Sequence, residues 1–218
     1  MLKKRKYLQI AFNGSLPDIE KMINALPISD RILIEAGTPL IKTYGKEGII
    51  AIKNWWDFKI GKNGYVIADL KCMDRGLNEV EIAASAGASA ATCLGLSPIE
   101  TINKFIKKCK DLKIDSMVDM INVRFPFEIL QKLKKLPSMV VLHRAADEND
   151  KEKQIPHNQI NQIKEAYNIL ISIAGGETAK EIRRAIFNDA DIAVVWRPFY
   201  ENPKETAILA KKFLKEIR

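Results

Sequence analysis

Short apolar runs alternate with amphipathic stretches from one end of this chain to the other, and that alternation limits what the chain can fold into. The runs Leu8–Phe12, Arg31–Ile34, Tyr65–Asp69, Ala90–Leu94, Ser116–Asp119, Met139–His143, Leu170–Ala174 and Ile192–Trp196 have the length and composition of buried strands. Helical periodicity lies near 17–26, 45–57, 76–86, 98–112, 126–135, 156–166, 178–187 and 203–217. Strands that read as unbroken apolar runs belong in a parallel sheet covered by helices. Eight such units in 218 residues predict an α/β chain forming one domain over 1–218, a (β/α)8 TIM barrel. A doubly wound open sheet is the alternative. It does not normally need eight units, and no Gly-x-Gly-x-x-Gly follows the first strand. Ser97-Pro98-Ile99-Glu100 and Thr178-Ala179-Lys180-Glu181 read as capping boxes, the first with proline at the first helical position.

Composition narrows the function classes. No apolar run approaches the length of a membrane span, so no membrane partner is expected. The basic start Met1-Leu2-Lys3-Lys4-Arg5-Lys6 leads into a stretch broken by Gln9, Asn13, Pro17 and Asp18. That is not a signal peptide, and a cytoplasmic location is expected. Cys72, Cys93 and Cys109 are odd in number and lack zinc spacing, and Cys72 and Cys93, near strand ends, are expected to be reduced and partly buried. The net charge of +8 raises the question of nucleic acid. The lysines, however, spread over helix surfaces, as in Lys104-Phe105-Ile106-Lys107-Lys108 and Lys132-Leu133-Lys134-Lys135. Such runs read as solvated helix faces, so no nucleic-acid partner is expected; the positive excess also suits an anionic, phosphorylated small molecule.

On a barrel, the strand C-termini share one mouth. Asn13, Glu35, Asp69, Lys71, Asp74, Asp119, Asn122, His143, Arg144, Asp147, Gly175, Gly176 and Arg197 all fall there. The stretch Ala68-Asp69-Leu70-Lys71-Cys72-Met73-Asp74 puts two carboxylates and an ammonium at the tip of a buried strand, where unpaired charge is costly. A solvated loop with an incidental ion pair is the plainer reading of that stretch alone. Ile32-Leu33-Ile34-Glu35 ends the preceding unit in another acid. Two acids at consecutive strand ends suit Mg²⁺, which binds through one or two carboxylates and keeps some waters. Gly175-Gly176 and Arg197 follow the seventh and eighth strands, the usual phosphate cradle of such barrels, though a plain turn and a surface charge would look the same. His143 is placed either to move a proton at neutral pH or to sit as a satisfied core residue.

From Leu8 to its C-terminus the chain resembles the orotidine monophosphate decarboxylase suprafamily. The similarity is to the branch that holds 3-hexulose-6-phosphate synthase and 3-keto-L-gulonate-6-phosphate decarboxylase. It rests on Leu8-Gln9-Ile10-Ala11-Phe12, Glu35-Ala36-Gly37-Thr38-Pro39-Leu40, Ala68-Asp69-Leu70-Lys71-Cys72-Met73-Asp74 and Val118-Asp119-Met120-Ile121-Asn122-Val123, with Leu142-His143-Arg144, Asp147 and Ala174-Gly175-Gly176. The Asp-x-Lys-x-x-Asp motif marks the suprafamily; the Glu35, Asp69 and Asp119 segments look more like the synthase. The resemblance implies a homodimeric lyase joining formaldehyde to D-ribulose 5-phosphate, or cleaving the hexulose phosphate, through an enediolate that a Mg²⁺ ion stabilises. It implies Glu35 and Asp69 as metal ligands and Lys71 as neutraliser of the intermediate. Asp74 would reach into the partner's site, His143 would handle a proton, and Gly175, Gly176 and Arg197 would hold the phosphate, with Arg144 beside them.

Two positions depart from the family pattern. Asn13 stands where the family has aspartate after the first strand, which implies that Lys71 lacks one ionic partner and that its charged form is disfavoured. Val195-Trp196-Arg197-Pro198 stands where small residues are usual, which implies an altered cradle. The pair His143-Arg144 is similar to the decarboxylase branch, so a decarboxylase of a keto-sugar-acid phosphate, or of orotidine monophosphate, is an alternative. So is a paralogue that binds a phosphate ligand without turning it over.

Overall fold

Eight parallel strands pair in chain order and close into a barrel, β8 hydrogen-bonding back to β1. The computed structural model describes residues 2–145, 147, 157–175 and 178–217, with backbone alone at 157 and 158. The strands are β1 (Tyr7–Phe12), β2 (Ile32–Ala36), β3 (Val66–Cys72), β4 (Ala90–Leu94), β5 (Asp115–Asp119), β6 (Met139–His143), β7 (Leu170–Ala174) and β8 (Ile192–Val195). The helices are α1 (Leu16–Ala25), α2 (Thr38–Ile60), α3 (Gly76–Ser85), α4 (Ile99–Asp111), α5 (Pro126–Lys132), α6 (His157–Ala166), α7 (Ala179–Phe187), α8 (Arg197–Glu201) and α9 (Thr206–Glu216). Among the described residues, no helix is long and apolar enough to cross a membrane.

Strand alternation divides the core in two. Outward side chains such as Leu8, Ile10, Ile34, Val118, Val140 and Ile171 join helix residues Ile19, Ile23, Trp56, Phe105 and Phe213 in one apolar cluster. Inward side chains such as Leu33, Ile67, Met117, Met139 and Ile192 fill the barrel itself. The tilt of barrel strands shifts each layer of inward side chains by one residue per strand, so a layer draws on alternate strands. Followed around the registers, Gln9, Ile67, Met117 and Ser172 share one layer. Glu35, Thr92, Val141 and Val194 lie above it, and Ala11, Asp69, Asp119 and Ala174 above those. Composition thus turns from apolar to acidic on moving up the barrel towards the strand C-termini. At the opposite end, the Leu2 amide (2.9 Å) and the Tyr65 hydroxyl (2.8 Å) both donate to Asp115 Oδ2.

Four expectations need correction. β3 runs on through Cys72 rather than stopping at Asp69, so Asp69 and Lys71 are alternate residues of one strand and both face inward. The extension depends on an irregularity against β4 between Ala68 and Cys72, with Lys71 left-handed at φ 45. α2 begins at Thr38 rather than near 45, because Gly45 (φ 59, ψ −145) joins two helical pieces across a kink. The short α8 follows β8 where the sequence pattern, broken by Pro198 and Asn202, predicts no helix before 203; Pro198 sits in its first turn, where a missing N–H costs nothing. Finally, Thr178 and Glu181 form the expected capping box, but Ser97 does not. Its hydroxyl turns inward to donate to Cys72 O at 3.0 Å, leaving Pro98 as the N-cap. Cys72, Cys93 and Cys109 are free thiols, and all three are fully buried.

Candidate active site

Asp69 anchors the mouth. It is 6% exposed, and its carboxylate collects three donors. The Thr92 hydroxyl donates to Oδ1 at 2.7 Å, while Lys71 Nζ (2.6 Å) and the Thr38 hydroxyl (2.7 Å) approach Oδ2. Burial alone would raise the Asp69 pKa, but the Lys71 charge and these hydrogen bonds outweigh it and hold the group below the usual carboxylate value. Thr92 also accepts from the Lys71 backbone amide at 3.0 Å, fixing the left-handed turn that swings Lys71 back over Asp69.

Lys71 bridges two acids, since its ammonium lies 3.5 Å from Asp119 Oδ2 as well. Burial disfavours the ammonium, but Asp69, Asp119 and Glu35 together raise its pKa above the ordinary lysine value. Asn13 therefore does not leave Lys71 short of ionic partners; Asp119 supplies the second one. The same Asp119 oxygen faces His143 Nδ1 at 2.7 Å, and its other oxygen accepts from the Ile121 amide at 2.9 Å. An Nδ1–H pointed at a carboxylate leaves the other ring nitrogen as the one presented to a ligand.

Glu35 sits beside this network, 8% exposed, and accepts a hydrogen bond from Gln9 Nε2. Burial first, and the Asp69 charge second, raise its pKa to about 7. The Glu35–Asp69 pair thus carries more negative charge than Lys71 alone compensates, the environment that draws a cation. Two carboxylates are a sufficient protein share for Mg²⁺, which fills its remaining positions with water or substrate oxygens. Among the described residues, no group of three or more His, Cys, Asp or Glu side chains forms a fuller metal cage.

The remaining candidates are placed less uniformly. The Asn13 amide packs on Gly37, where an added Cβ would lie 1.9 Å from Asn13 Oδ1. That contact explains glycine in the Glu35-Ala36-Gly37-Thr38 segment. Among the described residues, Asn13 makes no hydrogen bond to Asp69 or Lys71; it lines a cleft of about 430 Å³ with Ser15, Trp196, Phe199 and Tyr200. Asp74 is exposed, and its side chain stands apart from the Asp69–Lys71–Asp119 network of its own chain. Arg144 donates to Gly175 O at 2.5 Å, and Gly175 has φ +104, a conformation L side chains rarely adopt. Arg197 opens α8 with its guanidinium 5.3 Å from the centroid of the Trp196 ring. Gly176 lies outside the described residues.

Comparison with known proteins gives this mouth its context. Residues 6–211 match the model of the orotidine 5'-phosphate decarboxylase / HUMPS family. The chain belongs to that family. It is 36% identical over 216 residues to the bifunctional enzyme Fae/Hps of Methanocella arvoryzae, covering 97% of this chain and 53% of that protein. The like-named protein of Archaeoglobus fulgidus is 39% identical over 195 residues, covering 88% of this chain and 48% of that one. The chain therefore spans about half the length of these curated relatives. The crystal structure of 3-hexulose-6-phosphate synthase from Salmonella typhimurium superposes with a TM-score of 0.84 at 25% identity, covering 97% of this chain and 98% of that one. A second 3-hexulose-6-phosphate synthase structure gives 0.81 at 28% identity, covering 97% and 100%.

Within this HUMPS-family mouth, three side chains that hydrogen-bond Asp69 or Glu35 carry no signal that spacing alone would flag. Thr38 and Thr92 lie in a helix start and an apolar strand, and Gln9 is one polar residue in an otherwise buried run. Thr92 and Gln9 become visible only when strand parity is known, because only then do they point inward at Asp69 or Glu35, and Thr38 only when the start of α2 is placed beside Asp69. Asp119 is named by its strand-end position, but its role as the link between Lys71 and His143 comes from the structure.

Proposed function

We propose that this protein is a carbon–carbon lyase of the 3-hexulose-6-phosphate synthase type, joining formaldehyde to D-ribulose 5-phosphate or cleaving the product. The single observation that carries the reading is the continuous Asp69–Lys71–Asp119–His143 network beside Glu35, in a chain similar over its whole length to synthase structures. A Mg²⁺ ion held by Glu35 and Asp69 would supply Lewis-acid stabilisation of negative charge on the sugar oxygens. Lys71, kept protonated by three acids, places a fixed positive charge where that negative charge develops, at no cost of reorganisation. His143, oriented through Nδ1 by Asp119, has its other ring nitrogen available to take and return the proton that enediolate formation moves. Gly175, Gly176, Arg144 and Arg197 would hold the phosphate at the β7 and β8 ends. The deciding experiment is incubation with ribulose 5-phosphate and formaldehyde, with and without Mg²⁺, followed by product identification. Hexulose phosphate supports the reading; CO₂ released from keto-gulonate phosphate selects a decarboxylase instead. Phosphate-ligand binding without either product selects a non-catalytic role.

A homodimer with the mouths at the interface belongs to the same reading. Exposed Met73, Leu77, Leu96 and Phe125 follow the ends of β3, β4 and β5 on the side where Asp74 leaves its own network. Mixing Asp74→Ala and Lys71→Ala proteins is expected to restore activity that neither has alone, because heterodimers carry one intact site. A fully active monomer at micromolar concentration would refute the dimer.

Asn13→Asp is expected not to lower kcat/KM for hexulose phosphate chemistry. The carboxylate has the shape of the amide against Gly37, and it adds negative charge to a mouth in which Lys71 is held protonated. A large loss, with fold and cation binding intact, would mean that the amide serves a different substrate.

A further inference from the structure

Two buried polar atoms in one layer of the barrel have no hydrogen-bond partner among the described residues: Gln9 Oε1 and Ser172 Oγ. Gln9 is 3% exposed and Ser172 is fully buried. Groups so enclosed are rarely left unsatisfied. They project inward from β1 and β7, at the level just beneath Glu35. Above them β1 and β7 carry only Ala11 and Ala174, with Val194 of the intervening β8 between the two strands. A water that meets two polar partners in a buried pocket is a regular part of protein structure.

The other end of the Gln9 amide is already committed, with Nε2 donating to Glu35 Oε2. With Glu35 ionised, the form that binds a cation, this orientation is fixed, because an ionised carboxylate accepts and does not donate. It leaves Glu35 Oε1 as the oxygen to present to a cation. Glutamine suits the task because it donates without adding a charge to a site where Glu35 and Asp69 already repel.

We propose that Gln9 is a positioning residue for the cation site: it fixes which oxygen of Glu35 faces the metal, and Ser172 anchors it through a bridging water at Oε1. The proposal rests on the cation reading given above. Gln9→Met keeps the length and apolar packing of the side chain but removes the donor and leaves Glu35 Oε2 unpaired.

The test is calorimetric titration of the chelator-stripped protein with Mn²⁺ at fixed pH, alongside steady-state kinetics. Gln9→Met is expected to weaken Mn²⁺ binding about ten- to a hundredfold, the usual cost of losing an outer hydrogen bond to a metal ligand. The kinetic defect should then lie in the cation concentration needed for half-activity, with KM for the sugar phosphate and kcat at saturating cation close to the parent values. Ser172→Ala, which leaves Gln9 in place, is expected to weaken binding a few-fold, roughly the effect of loosening a water-mediated contact. It should add nothing in the Gln9→Met background. Unchanged Mn²⁺ affinity in Gln9→Met overturns the proposal; if that variant does not fold, unchanged affinity in Ser172→Ala overturns it. Failure of the unaltered protein to bind Mn²⁺ overturns the cation reading itself, a result distinct from either of these.

Discussion

Replacing Lys71 by methionine is expected to lower kcat/KM by about 10³-fold or more, the scale on which a preorganised charge acts in a water-poor site. It is also expected to destabilise the cation-free protein by roughly 2–3 kcal/mol, because Asp69, Asp119 and Glu35 lose their shared counter-charge. The lysine's own pKa is raised, so its stabilising contribution is complete below the ordinary value of 10.5 and is lost only as the pH rises through the higher folded-state value. The lysine's own titration therefore adds no pH dependence near neutrality, and the deficit should grow as the pH rises through about 7, where Glu35 ionises and, in the variant, lacks the charge that favours its ionised form. Steady-state kinetics checks the first part, and denaturant unfolding, in chelator and separately in excess Mg²⁺, checks the second. Added Mg²⁺ is expected to recover part of the stability, by replacing the missing positive charge, but not the activity. Near-parental turnover by Lys71→Met would remove Lys71 from the chemistry altogether.

The barrel was legible because its strands read as apolar runs of strand length with helical stretches between them, and Leu8–Phe12, Ala90–Leu94, Met139–His143 and Leu170–Ala174 differ from the observed strands by at most a residue. What failed was local. The chain keeps its strand geometry through Lys71 by means of a left-handed residue that Thr92 holds, and nothing in Asp69-Leu70-Lys71-Cys72 signals that turn. Ser97 has the sequence of a cap and the position of a core donor; position decides, because Cys72 O lies within its reach and α4 is left without a side-chain cap.

The charged residues of the site were visible because ionised groups beside apolar runs are conspicuous. Their neutral supports were not: Thr38, Thr92 and Gln9 are ordinary residues until the closed sheet brings β1, β2, β3 and β4 side by side. The raised pKa of Lys71 is hidden from the sequence for the same reason. Asn13 could be compared with a family pattern in the sequence, whereas the compensating approach of Asp119 from β5, 3.5 Å away, is a property of the closed barrel.

That balance of charge makes Glu35 the group whose behaviour separates a cation site from a mere acidic pocket. Its pKa near 7 means that the folded, cation-free protein holds a proton on Glu35 where the unfolded chain, with the ordinary value of 4.5, has released it. Stability from this source is complete below pH 4.5 and is lost as the pH rises through about 7. In chelator, Glu35→Gln is therefore expected to be more stable than the parent by roughly 3 kcal/mol at pH 8, and by less than about 1 kcal/mol at pH 5. Excess Mg²⁺ should reverse the order at pH 8. The parent then gains the binding free energy of the ion while the variant, lacking the ligand, does not. The parent's Mg²⁺ affinity should fall as the pH drops below about 7, because proton and cation compete for the same carboxylate. Thermal unfolding of both proteins at the two pH values, in chelator and in Mg²⁺, gives four comparisons. If Mg²⁺ stabilises Glu35→Gln as much as the parent at pH 8, Glu35 is not a ligand and its carboxylate serves the site in some other way.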